Sequence, residues 1–246
     1  VKLNILKLLN EKYGMVEEDF LTAELEMVPA AKVTDIGFDR SLIGGYGHDD
    51  RVCAYPELRA ILDLDETPDY TAVAVLTDKE ETGSDGNTGL NSSYMKYFIA
   101  DLARSEGLMV WDVLSKSKCL SADVNAAFDP NYASVSEKKN TSFFGNGMVF
   151  MKYTGARGKS GSNDASAEYL AALRKVMDDA NVTYQTSELG KVDAGGGGTI
   201  AYIMGNYGMN VVDSGVAVQN MHAPFEVISK ADLYETYRGY EAFLHM

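Results

Sequence analysis

The sequence predicts an α/β layered fold, with a largely parallel, buried central sheet flanked by helices. Three observations predict it. Apolar periodicity switches repeatedly between strand-like and helix-like spacing. The strand-like runs are short and apolar on both alternations, as strands covered on both faces are. The 246 residues are 46% hydrophobic and 24% charged, enough apolar mass for a sizeable core.

The elements follow in order along the chain. Helix Leu3–Lys12 leads into an extended piece, Glu24–Val33, and then a glycine-rich turn at Gly44-Gly45. A helix begins near Val52. Tyr70–Leu76 (YTAVAVL) reads as a buried strand ending at Thr77-Asp78. Thr88–Ser105 reads as a helix with Leu90, Tyr94, Tyr97, Phe98 and Leu102 on one face. Cys119–Val124 and Met148–Tyr153 read as strands.

Asp164–Asn181 is the clearest helix. Tyr169, Leu170, Leu173, Val176 and Met177 form its apolar stripe, and Ser162-Asn163-Asp164 offers capping oxygens. Strand Val182–Thr186, a loop holding Gly195–Gly198 and helix Thr199–Tyr207 come next. Strand Asn210–Val218, with a break at Gly215, precedes the closing amphipathic helix Ala231–Leu244.

Charge narrows the function. Lys and Arg total 22 against 36 Asp and Glu, a net charge of −14, which argues against nucleic-acid or anionic-membrane partners because phosphates would be repelled. No apolar run nears the ~20 residues of a membrane span. Two cysteines, Cys53 and Cys119, argue against a disulfide framework and suit a reducing, cytoplasmic setting.

Two glycine-rich segments miss the nucleotide motifs they superficially match. In Gly155–Ser162 the first glycine of a phosphate loop would fall on Tyr153. In Gly195–Gly198 the third glycine of a dinucleotide fingerprint would fall on Ile200.

Four acidic or histidine-bearing segments sit at strand ends or in the loops beyond, where open α/β sheets place their sites. Gly47-His48-Asp49-Asp50-Arg51 also fits an acidic helix start that complements the helix dipole. Glu80-Glu81, just after the apolar run, also fits a solvated turn. As chemistry, adjacent glutamates allow one to ligate a metal while the other acts as general base for an attacking water. Asp123 also fits a turn cap, and His222 a structural imidazole. Together they offer two Asp, two Glu and one His, hard oxygens plus imidazole that suit Zn²⁺, Mn²⁺ or Co²⁺.

The stretches DIGFDRSLIGGYGHDDRVCAY, AVLTDKEETGS, SADVNAAFDPNY, KYTGARGKSGSNDA, GKVDAGGGGTIAYI and MHAPFEV run in order from Asp35 to Val227. They resemble the aspartyl aminopeptidase and vacuolar aminopeptidase I family of co-catalytic metallopeptidases, its bacterial branch in particular. The resemblance implies a zinc-peptidase-like sandwich that hydrolyses the N-terminal peptide bond of peptides with a free N-terminus. Two divalent ions are implied, zinc first, with manganese or cobalt as alternatives.

By position, Asp49 would bridge the two ions. Glu81 and His222 would complete one site, Asp123 would ligate the other ion, and Glu80 would be the general base. Lys159, Gly197, Gly198 and Thr199 fall in family segments near the substrate cleft. His48, beside Asp49, would be an outer imidazole rather than a ligand. The family also implies homo-oligomers, commonly dodecamers.

One departure matters. The family takes a first ligand from a His in an N-terminal H-x-D segment, and the histidines here are His48, His222 and His245. The resemblance therefore implies that residues 1–35 are the tail of an inserted dimerisation domain. Residues 36–246 would be the C-terminal part of the catalytic domain, missing its N-terminal strands. The alternative is a catalytically silent fragment acting as a structural or assembly module. The lack of an obvious basic pocket leans towards neutral N-terminal side chains.

Overall fold

In a computed structural model that describes residues 1–191 and 193–246, the chain divides into two units, Val1–Ala31 and Lys32–Met246. The first holds α1 (Lys2–Tyr13) and a 3-10 turn, Glu17–Leu21, with Lys2 paired to Glu17. Gly14 ends α1 with φ 71°, a left-handed conformation that glycine adopts without strain.

The second unit opens with hairpin β1 (Thr34–Ile36) and β2 (Leu42–Gly45), which feeds α2 (His48–Leu62). A 3-10 turn at Glu80–Thr82 precedes α3 (Tyr94–Ser105), α4 (Val110–Lys116), β3 (Lys118–Ala122) and β4 (Asn125–Ala126). Next come β5 (Met148–Met151), hairpin β6 (Tyr153–Ala156) and β7 (Ser160–Asp164), α5 (Ala167–Asp179) and β8 (Tyr184–Ser187). The remainder is α6 (Ala201–Gly205), β9 (Asn210–Gly215), β10 (Ala217–Gln219), β11 (Glu226–Ser229) and α7 (Lys230–Leu244).

The central sheet has the order β3-β9-β5-β8. β3 runs parallel to β9, and β5 parallel to β8, while β5 and β9 are antiparallel. Side-chain alternation on β9 shows why both of its faces are buried. Val211 packs with Met95, Leu114 and Ile203 on one face; Val212 packs with Phe150, Leu173 and Tyr240 on the other. Helices therefore cover both faces, which is the expected layered α/β arrangement.

A second sheet, β1-β2-β11-β10-β4, is antiparallel except for β10 beside β4. Val216, fully buried, is the one residue between β9 and β10, so the chain passes directly from one sheet to the other. The predicted break at Gly215 falls at this crossing.

Several expectations are corrected. Tyr70–Leu76 is a bend followed by irregular chain that joins no strand ladder among the described residues. The Val75 N–H donates instead to Glu57 Oε1 at 3.1 Å. Tyr70 and Leu76 are exposed. Gly44-Gly45 is part of strand β2 rather than a turn. A Cβ at Gly44 would meet the Phe225 ring at 2.3 Å, so glycine serves a close approach there.

The predicted helix from Thr88 begins only at Tyr94, since turns bonded from Asn91 to Ser84 and from Ser92 to Gly89 occupy the preceding residues. Its buried seam is Met95, Ile99 and Ala103, spaced four apart, and Tyr94 and Tyr97 face outward. The α5 stripe is as expected, but its cap is Ser166, which accepts from the Tyr169 N–H at 3.2 Å. Ser162, Asn163 and Asp164 are engaged in β7 instead.

Candidate metal centre

Three segments distant in sequence meet at the mouth of the second unit's site. Asp49 follows Gly47, whose φ of 78° turns the chain from β2 into α2. Its own backbone and that of Asp50 are non-helical, so their side chains leave the helix start instead of continuing its surface. The Asp49–Asp50 peptide is cis. Glu80 and Glu81 lie on the 3-10 turn after residues 70–76, and Lys79 (φ 67°) and Gly83 (φ 98°) bound that turn. His222 stands in the loop between β10 and β11 with φ 65°.

His222 Nε2 lies 3.0 Å from Asp49 Oδ2 and 3.0 Å from Glu81 Oε1. Bonds of about 2.1 Å to one zinc would place such ligand atoms about 3.4 Å apart. A divalent cation thus fits this donor set with only a small outward shift. The Asp49 carboxylate is largely buried, whereas those of Glu81 and the His222 ring are open to solvent. An ion held here would be approachable from outside.

Asp49 also belongs to a second group, with Asp50 and Asp123, whose oxygens all lie within 4.8 Å of one another. Asp123 sits where β3 passes to β4, its N–H donating to the Ser214 carbonyl at 3.1 Å. Of the residues named from the sequence, Asp49, Glu81, Asp123 and His222 are thereby brought into two groups sharing Asp49. Asp50 was not singled out. Its signal was only adjacency to Asp49, which an alternating strand or a regular helix would have pointed elsewhere.

Crowded carboxylates set the electrostatics. Burial, reinforced by the charge on Glu81 and partly offset by His222, pushes Asp49 up to about 6. Burial pushes Asp50 up to about 8 despite a hydrogen bond from the Cys53 thiol. Asp123 is raised well above the carboxylate range by burial and then by the charges of Asp50, Glu80 and Asp49. Asp50 Oδ1 is buried without a hydrogen-bond partner. A divalent cation would satisfy that oxygen and relieve the mutual repulsion. Glu80, half-buried, is raised by burial and by Glu81 and Asp49, which suits a carboxylate that must hold a proton.

His48 is buried, its Nε2 unpartnered, and desolvation lowers its pKa. The metal-ligand grouping includes His222 but not His48.

The glycine loop lies beside hairpin β6–β7. Gly155 N–H donates to Gly197 O at 3.0 Å and Arg157 N–H to Gly195 O at 2.9 Å. Gly198 and Gly161 approach so closely that a Cβ on Gly161 would meet Gly198 Cα at 3.3 Å. Lys159 is exposed on the turn of that hairpin. Thr199 is buried. Its hydroxyl lies 3.3 Å from that of Thr154, which donates to Asp213 Oδ2 at 3.1 Å.

The profile of the aminopeptidase I zinc metalloprotease family, M18, matches residues 1–244. The chain belongs to the M18 family. The protein named "Probable M18 family aminopeptidase 1" from Clostridium acetobutylicum is 55% identical over 249 residues, which cover 100% of this chain and 53% of that relative. The crystal structure of the M18 aminopeptidase from Thermotoga maritima is 46% identical with a TM-score of 0.93, over 99% of this chain and 55% of that one. The Saccharomyces cerevisiae mApe1 dodecamer shares the fold at 19% identity and TM-score 0.77, over 98% of this chain and 54% of that one. This M18 chain thus spans about half the length of the relatives it matches, and its family is one of metal-dependent peptidases.

Proposed function

We propose that the chain is the C-terminal catalytic portion of a metal-dependent aminopeptidase, with residues 1–35 the tail of an inserted domain. The observation that carries this reading is the placement of His222 Nε2 at 3.0 Å from both Asp49 and Glu81, beside a second carboxylate group that shares Asp49. Asp49, Glu81 and His222 would hold one divalent ion, zinc first; Asp49 and Asp123, joined by Asp50, would hold a second. When bound, the ions supply Lewis acidity to the scissile carbonyl and to water.

The chain's own residues do the rest. Glu80 accepts a proton from the attacking water and delivers it to the departing amine, a transfer its raised affinity for protons favours. The net negative charge attracts the free α-amine of the peptide. Lys159, Gly197, Gly198 and Thr199 would border the peptide, with Thr199 acting through the wall rather than by contact because its side chain is buried. Neutral N-terminal side chains, self-association and a cytoplasmic setting complete the reading.

The test is hydrolysis of N-terminal aminoacyl substrates with added Zn²⁺, Mn²⁺ or Co²⁺. Turnover that Glu80→Gln abolishes while metal still binds supports the proposal. Absence of turnover with every metal would support the second reading, a silent assembly module. That reading is favoured by one feature, the all-carboxylate donor set of the Asp49–Asp50–Asp123 group.

A further inference from the structure

Glu226, the glutamate of the MHAPFEV segment, touches the backbone of two of the residues gathered at the site. It is the first residue of β11 and only 2% exposed. Its Oε2 accepts from the Asp49 N–H at 3.1 Å, and its Oε1 accepts from the His222 N–H at 2.9 Å. One buried carboxylate thus clamps two loops, one 177 residues before it in the sequence and the other four residues before it.

Both clamped residues have backbones that need outside support. His222 is a non-glycine residue at φ 65°, a conformation that persists only when surrounding bonds over-determine it. Asp49 has φ −77° and ψ 111° at a helix start, so no helical hydrogen bond fixes it. The side chains leaving these two backbones meet at 3.0 Å. A shift of either loop by more than about an ångström would carry the pair out of reach of one ion bound at about 2.1 Å.

We propose that Glu226 is a positioning residue that holds Asp49 and His222 at the spacing a divalent cation requires. It supplies no atom to the cation. It acts through the two main-chain N–H groups, one on each carboxylate oxygen, and it stands outside both groups of ligand atoms gathered at the site. The inference rests on the metal-site reading above.

The experiment is titration of the full chain with Co²⁺, followed by visible absorption, together with thermal melting of the chelator-treated protein. Glu226→Gln, which keeps the shape but turns an N–H₂ toward one of the two donors, is expected to weaken Co²⁺ binding about 10- to 100-fold. Its absorption bands should shift while the melting temperature of the metal-free chain stays within a few degrees. Glu226→Asp, too short to reach both donors, is expected to weaken binding similarly and carries the test if the first variant does not fold. Unchanged Co²⁺ affinity and spectrum in a folded variant would overturn the proposal and leave the metal site standing. Failure of the unaltered chain to bind Co²⁺ would overturn the metal-site reading and this inference with it.

Discussion

The His222 imidazole meets the Asp49 carboxylate at 3.0 Å, although the two come from opposite ends of the second unit's sequence. Asp49 is also the residue common to both groups of acidic side chains. Asp49→Asn should therefore damage both groups at once. Zn²⁺ affinity measured by calorimetry is expected to fall more than about 100-fold, beyond what loss of an outer-shell residue costs. A stoichiometry and affinity equal to those of the unaltered chain would contradict the shared role.

Glu80 and Glu81 are sequence neighbours with different surroundings. Glu81 reaches His222, whereas Glu80 is the half-buried partner with raised proton affinity. Glu81→Gln is expected to weaken metal binding. Glu80→Gln should leave metal affinity within about threefold and lower turnover of the active enzyme by about 10²- to 10⁴-fold. Parallel metal titrations and kinetics separate the two, and the reverse pattern would exchange their roles.

Gly215 tests the scaffold beneath Asp123. A Cβ there would stand 2.1 Å from the Asp123 carbonyl oxygen and 2.6 Å from Cys53 Sγ. The first contact is backbone and cannot rotate away. Gly215→Ala is expected to destabilise the chain by about 3 kcal/mol in urea unfolding. A loss below about 0.5 kcal/mol would show that β3, β9 and α2 adjust more freely than their packing implies.

Asp213 supplies a pH signature. It is fully buried, and burial raises it from 3.8 to about 6 against the hydrogen bond from Thr154. The folded chain therefore binds a proton more tightly there than the unfolded chain does. Between those values the unfolded state holds fewer protons, so this residue's contribution makes stability fall as pH rises from about 4 to 6. Asp213→Asn should remove that fall, an effect of at most about 3 kcal/mol. Denaturant melts at pH 4 and pH 7 check it, and an unchanged difference between the two would refute the assignment.

The layered α/β class was legible because β9 and β5 carry apolar residues on both alternations and α5 carries a regular stripe. Tyr70–Leu76 looked the same, yet it joins no ladder among the described residues, since a strand requires a neighbour that composition cannot supply. Asp49, Glu81, Asp123 and His222 lie in polar segments at strand ends that each also fit a structural role, and the resemblance of the ordered motifs is what grouped them as ligands. Glu226 was not among them: its function lies in two main-chain N–H groups, and a sequence displays side chains only. The α3 seam was misplaced by the same limit, because its facing surface is built by α4 and α6.

The passage of the chain through Val216 from one sheet into the other has a mechanical consequence. A single buried residue offers no joint about which β9 and β10 could swing, and only Asp123 and Val124 bridge β3 to β4. The two sheets are thereby locked to each other through buried chain, and Asp123 and Asp213 sit on that fixed junction rather than on the loops that carry Glu81 and His222.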